Sequence, residues 1–317
     1  MPGLLFWSLD PVIAAVEILY LHAILPGTRL GNETMRIILS RKGFDSSAGG
    51  FPSPILPDGR LCSLPIPDEL SPVRYGDIAY EGINLGDLIG QLGVGHSWDH
   101  KGAHLDPDLR LDALPRVDGW KPMLGQSGSA QGHLRNEGVA AGDLFLFFGS
   151  FRAVYKVKGV WRFDPGQTPR QIIWGWLRVG EILKVDELPR EALPWARYHP
   201  HFAYGRDPGN TLYLAADLLS LDGATVSGAG TFPVLDDRLV LTAPGSRMQT
   251  QWQLPAFFAP SEESPGLSYH RRPDRWESAG DIYRLSSAYR GQEFVVDVRD
   301  KEAPMKWLRT LLAAASH

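Results

Sequence analysis

The chain has 317 residues, a formal net charge of −4, and 44% hydrophobic against 21% charged residues. That composition excludes a disordered chain and a globally basic, histone-like nucleic-acid binder. With 34 glycines and 25 prolines, nearly a fifth of the chain, a regular helical bundle is excluded as well.

The first apolar stretch, Pro11 to Leu25, carries Glu17 and His22. It is shorter than the roughly 20 residues of a membrane span. No Lys or Arg precedes it, so the positive region of a signal peptide is missing. No membrane association is expected. Residues 1–34 read as an N-terminal extension outside the domain, with Met35 as the natural start; the competing reading is a short helix, Pro11 to Ile24, docked on the domain.

A first strand begins at Met35-Arg36-Ile37-Ile38-Leu39. The Gly/Pro-rich stretch from Gly43 to Pro67 follows, where proline restricts the short apolar pieces to edge strands or ordered loops. Asn84 is an N-cap for a helix over Leu85–Leu92, stopped by Gly93 and Gly95. A polar loop spans His96 to Asp112. The run Leu144-Phe145-Leu146-Phe147-Phe148, closed by Gly142 and Gly149, reads as a strand buried on both faces. Phe151–Val157 is expected to pair back on it as a hairpin. Gln171–Ile182 predicts a long strand whose glycines mark a bulge or a close backbone approach. Further strands are expected at Thr211–Ala215, Arg238–Thr242 and Glu293–Val298. A C-terminal helix is expected with Pro304 in its first turn and Trp307, Leu308, Leu311 and Leu312 as its apolar stripe. Strands and helices mix without βαβ alternation. This predicts an α+β fold with a mixed, mainly antiparallel, barrel-like β core, peripheral helices and long loops. Residues 35–317 read as a single domain whose β core lies around 138–300.

Four clusters carry candidate chemistry. Ser40, Arg41 and Lys42 lead into a glycine-containing bend with Asp45, Ser46 and Ser47, and hydroxyls, amides and cations there suit phosphate. The order matches neither a Walker A loop nor the Gly-x-Gly-x-x-Gly fingerprint. A polar turn capped by Asp45 is the plain alternative. His96, Asp99, His100, His104, Asp106 and Asp108 form the second cluster. His104, Asp106 and Asp108 are candidate acid/base groups, and His96, His100 and His104 are the candidate metal ligands. A solvated loop is the alternative there. The third cluster, His270, Arg271, Arg272, Arg275 and Trp276, joined by Arg284 and Arg290, is a local basic patch suited to phosphate and base stacking. Structural ion pairs explain it equally. In the fourth, Arg290, Gln292 and Glu293 enter a strand with donors and acceptors for a base edge, or simply form a charged strand edge. Asp45 and Glu293 complete the candidate catalytic carboxylates.

Two familiar arrangements are absent: the Gly-x-Ser-x-Gly elbow and the zinc deaminase signature. Cys62 is the only cysteine, so intrachain disulfides and multi-thiolate zinc sites are excluded. It reads as a small core residue, and a lone cysteine suits a reducing cytoplasm.

The stretch Met35 through Ser47, continuing through Gly49-Gly50-Phe51-Pro52-Ser53-Pro54-Ile55-Leu56-Pro57-Asp58-Gly59, resembles the start of the nucleotide-modification-associated domain type three family. His104-Leu105-Asp106-Pro107-Asp108-Leu109, Ile173-Trp174-Gly175-Trp176-Leu177 and Arg290-Gly291-Gln292-Glu293-Phe294-Val295 are similar to its later blocks. The resemblance spans Met35 to about Leu312 and implies a role associated with nucleotide modification. More loosely, Gly142–Phe147 with Ile173–Ile182 resembles the core of PUA-like barrels of the ASCH and EVE type, which hold bases. The expected partner is therefore a nucleotide or nucleic acid, met by a local basic patch, which the protein binds and acts on. Two alternatives stand beside this. One is a non-catalytic reader stacking a modified base on Trp174, Trp176 and Trp276. The other is a metal-dependent hydrolase or oxygenase using the 96–108 loop. The sequence assigns no cofactor.

Overall fold

The apolar run ending at Phe148 organises a nine-stranded mixed sheet. The computed structural model describes residues 35–93, 97–221, 224–288, 291–298 and 302–316. The sheet consists of β1 (Arg36–Arg41), β2 (Ser53–Ile55), β3 (Met123–Gln126), β4 (Leu144–Val157), β5 (Val160–Phe163), β6 (Arg170–Lys184), β7 (Thr211–Ala215), β8 (Ala229–Thr231) and β9 (Glu293–Asp297). Its main path runs β9-β1-β4-β6-β7-β3, with β2 and β5 added to β4 and β8 to β6. β1 and β2 lie parallel to β4, and the other pairings are antiparallel. A second sheet joins Gln251–Pro255, Ile282–Ser286 and Trp276–Ala279. With three α-helices among the described residues, α1 (Leu85–Leu92), α2 (Gly128–Asn136) and α3 (Glu302–Leu312), the fold is α+β as expected. No closed ring of strands is found among the described residues.

Both faces of the central strands are buried, because their side chains alternate between two apolar layers. Phe145 meets Tyr213 edge-on at 5.2 Å on one face, and Phe148 meets Trp252 at 5.1 Å on the other. Burying each such side chain contributes about 1.5–3 kcal/mol. Phe44, Tyr75, Leu88 and Ile89 form a second core beneath the Pro-rich N-terminal third.

Local chemistry explains most element ends. Asn84 Oδ1 accepts from the Asp87 amide at 3.2 Å and caps α1, and Gly93 ends it. On α3, Leu308, Leu311 and Leu312 are buried and Trp307 packs on Phe257 and Phe258.

Two expectations need correction. Phe151–Val157 is no separate hairpin arm: β4 runs unbroken through Gly149. A Cβ on Gly149 would sit 2.5 Å from the Lys42 carbonyl oxygen, so this glycine lets β4 pass close to the end of β1 and is no stop. Arg238–Thr242 is not a strand. Asp236 accepts from the Arg238 amide at 2.9 Å and winds Asp237–Leu239 into a 3-10 turn, leaving only isolated bridges at Val240 and Thr242. Residues 1–34, on which the extension and docked-helix readings fall, lie outside the described residues. None of the described helices is long and apolar enough to cross a membrane.

Candidate active site

The antiparallel register of β1 and β9 sets Ser40 directly opposite Glu293, so their side chains share one face of the sheet. Ser40 Oγ donates to Glu293 Oε1 at 3.0 Å, and Gln126 Nε2, from the end of β3, donates to the same oxygen at 2.6 Å. Lys42, two residues beyond Ser40, brings its ammonium to 3.9 Å from Glu293 Oε1 and 3.4 Å from Asp106 Oδ2. One lysine therefore bridges two buried carboxyl groups.

Asp106 is the hub. Its Oδ1 accepts from the Gly125 amide at 2.6 Å, with His199 Nε2 at 3.3 Å, and its Oδ2 lies 3.8 Å from His104 Nε2. His104 turns its other nitrogen outward: Nδ1 is 2.9 Å from Asp68 Oδ2, where the Tyr204 hydroxyl also donates at 3.3 Å. His199 and His201 flank Pro200 on a 3-10 turn. His201 Nδ1 is 2.6 Å from Asn210 Oδ1, and Asn210 Nδ2 donates back to the His201 carbonyl at 2.8 Å. The ring centres of His104 and His201 are 5.5 Å apart. Side chains of Asp106, Glu293 and His199 are at most 1% exposed, whereas Lys42 and His104 are 11% and 13% exposed. The nest thus reaches solvent along its Lys42–His104 edge.

The two carboxyl groups sharing Lys42 are driven apart. Burial opposes ionisation of Asp106, but Lys42, His104 and His199 outweigh it and hold the carboxyl well below the usual range. Burial dominates at Glu293 and raises it, against the pull of Lys42 and the bonds from Ser40 and Gln126. For His104, burial is likewise opposed by Asp106 and Asp68, and the balance raises the imidazole.

Of the residues expected from sequence, Ser40, Lys42, His104, Asp106 and Glu293 come together. Others go elsewhere. Arg41, Asp45, Ser46 and Ser47 line a separate cleft of about 190 Å³ with Ser150, Gln171, Gln249 and Ser287. There the Asp45 carboxylate accepts from the amides of Ser47 and Ala48 and from Ser47 Oγ at 2.6–2.9 Å and so caps the turn. Asp108 is fully buried and gripped by two Arg116 nitrogens at 2.7 Å and by the Tyr198 hydroxyl, apart from the Asp106 nest. His100 is exposed and stands apart from the nest's three-residue His/Asp group, and His96 lies outside the described residues.

The third cluster faces different surroundings. His270 is fully buried, with Nδ1 against the Ser268 carbonyl and Nε2 accepting from the Ala288 amide, and burial depresses it to about 4. Both of its ring nitrogens are thus engaged by the backbone. Arg271 pairs with Glu137, Arg272 with Asp274, and Arg275 donates to the Ser286 carbonyl. Trp276 Nε1 donates to the His270 carbonyl. Gln292 is exposed, and Arg290 is outside the described residues. Trp174 and Trp176 are only 7% and 5% exposed, packed on Phe147 and Phe232.

Sequence reading missed Asp68, Gln126, His199, His201, Tyr204 and Asn210. The available signal was the pair His199-Pro200-His201, two of the nine histidines one residue apart. Its nearness to His104-Leu105-Asp106 arises only from the fold.

A family model described as nucleotide modification associated domain 3 matches residues 36–297. Neither the curated proteins nor the solved structures compared with the chain give a match.

Proposed function

The chain belongs to the nucleotide modification associated domain 3 family, which links it to nucleotide modification, and we propose that it is an enzyme acting on a nucleotide, free or within nucleic acid, at the nest around Asp106. The observation that carries this reading is the convergence of Lys42, His104 and His199, from three segments, on the buried Asp106 carboxylate, with Glu293 sharing the same lysine. Burying such a set costs several kcal/mol per ion in desolvation, and apolar residues of similar volume would serve stability as well or better. Clusters of this kind mark functional sites. The ammonium and imidazole at the solvent edge supply cations and proton-carrying groups to an anionic substrate.

The cleft on the Arg41 side of the β1 end is the proposed nucleotide-recognition surface. Its guanidinium, hydroxyl and amide groups suit a phosphate and a base edge. Arg271 and Arg272, outside that cleft, are a separate proposed contact for a longer nucleic acid, because their pairs with Glu137 and Asp274 are individually weak and exchangeable for phosphate. The PUA-like likeness is retained as a proposal about architecture alone. It is supported by the long β4–β6 pair with its register shift at Trp174. The lone, buried Cys62 supports a cytoplasmic setting. A non-catalytic reader is disfavoured by the burial of Trp174 and Trp176.

The test is mass spectrometry of nucleosides from the DNA, RNA and nucleotide pool of cells making the protein or its Asp106→Asn variant. A nucleoside species present with the parent and lost with the variant is expected. Identical profiles from both, at equal protein levels, would contradict the reading.

A further inference from the structure

The geometry points to a divalent transition-metal site formed by His104 Nε2, Asp106 and His201 Nε2, with His199 as a neighbouring fourth donor. This deepens the reading above, since the ion would sit at the same centre, but metal binding is measured without any nucleotide.

Donor atoms of His104, Asp106 and His201 all lie within 4.8 Å of one another. Ligands of a four-coordinate ion at about 2.0–2.2 Å are roughly 3.4 Å apart, so side-chain adjustments of about 1 Å close the site. Spacing alone would not distinguish such a group from a chance cluster. The outer contacts do.

His104 and His201 each have the outer nitrogen engaged and the inner one turned to Asp106 or left for the centre. His104 Nδ1–H donates to Asp68 Oδ2, leaving the Nε2 lone pair on the Asp106 side. For His201, the Asn210 amide orientation is fixed by its own bond to the His201 carbonyl, which puts Oδ1 against Nδ1–H and frees Nε2. An outer carboxylate or amide oxygen fixing the tautomer of a ligating histidine is the recurrent construction of metal sites. Asp106 in turn is oriented by the Gly125 amide.

His199 supplies the independent sign. It is fully buried, and among the described residues neither ring nitrogen has a hydrogen-bond partner. Its Nε2 is 3.3 Å from Asp106 Oδ1 but off the line that a hydrogen bond needs. An imidazole buried in this way is costly unless something not made of protein completes it. Two to three imidazoles with one carboxylate suit zinc, iron(II), manganese(II) or cobalt(II) better than magnesium or calcium. The Lys42 ammonium, 3.4 Å from Asp106 Oδ2, provides positive charge there and competes with an ion for that oxygen.

The full chain, stripped with chelator, is titrated with cobalt(II), following the visible d–d bands, with bound metal counted by elemental analysis. One cobalt per chain is expected, displaced by zinc. His201→Gln lowers affinity at least 100-fold, and Asn210→Ala, which touches no metal, lowers it 10–100-fold. Lys42→Met, by removing the competing cation, tightens binding severalfold, and the exposed His100→Gln leaves it unchanged. Should the His201 variant fail to fold, the Asn210 and Lys42 variants still decide the matter. Substoichiometric cobalt in the parent, or affinities indifferent to Asn210 and Lys42, would overturn the site. A metal-free protein that still changes nucleosides in an Asp106-dependent way would sink this inference alone. Tight cobalt binding without any nucleoside change would sink the enzymatic reading alone.

Discussion

Gly125→Ala isolates the packing of the nest from its chemistry, since it adds one methyl group and removes no polar atom. On the β3 backbone the new Cβ would fall 2.2, 2.5 and 2.6 Å from His201 Cδ2, Cγ and Nε2. Restoring ordinary contact at about 3.5 Å requires the ring to retreat by about 1 Å. Neither side yields easily. β3 is held by its pairing with β7, with Leu212 opposite Gly125, and by the amide bond to Asp106. The His201 ring is anchored on Asn210. Overpacking of this kind costs about 1–3 kcal/mol, read as a lower urea midpoint at unchanged slope. The displaced Nε2 also weakens cobalt(II) binding at least tenfold, as judged by titration. Gly132→Ala in α2 is the control, because its Cβ meets nothing within 4 Å. It is expected to raise stability by about 0.5–1 kcal/mol and leave cobalt untouched. If Gly125→Ala matched the parent in both midpoint and affinity, the packing argument for His201 would fail.

Three other outcomes follow from the same interactions. Arg116→Leu strands the buried Asp108 carboxylate and is expected to cost about 3–5 kcal/mol in urea unfolding, with cobalt affinity of the folded protein unchanged. His270, depressed to about 4 by burial and the nearby Arg275 and Arg41, is neutral when folded but titrates near 6.5 when unfolded. Its contribution is complete above about pH 6.5 and lost as pH falls toward 4, about 2 kcal/mol by pH 5. Unfolding curves at pH 7.5 and 5 should therefore diverge less for His270→Gln than for the parent. Cys62, fully buried with its thiol pushed up to about 12, should resist a thiol reagent in buffer and react completely in denaturant.

Where signals are local, the sequence was legible. The Asn84 cap, the five-residue apolar run of β4 and the Pro304 helix each follow from propensities acting over a few residues. Parts of the nest are local too: His104 and Asp106 share one short segment, and Ser40 and Lys42 another, though the sequence assigned the two pairs to separate clusters. What could not be read is what a turn does at long range. Gly149 looks like a strand terminator until the nearness of the Lys42 carbonyl explains it. Helix α2 escaped because its sequence, with two glycines and only Gln131 and Leu134 buried, has no apolar stripe. His201 and Asn210, some hundred residues beyond His104, meet it only through tertiary packing. Asp45 and Asp108 carry carboxylates of the same type as Asp106, yet local turn bonds and Arg116 absorb them.

The most direct test of the centre built around Asp106 is anomalous scattering from crystals soaked in manganese(II) or cobalt(II). One strong peak is expected between His104 Nε2, Asp106 and His201 Nε2, with the Lys42 ammonium moved off Asp106. A site with no peak, in which Lys42 still contacts Asp106 and His199 remains unpartnered, would contradict it.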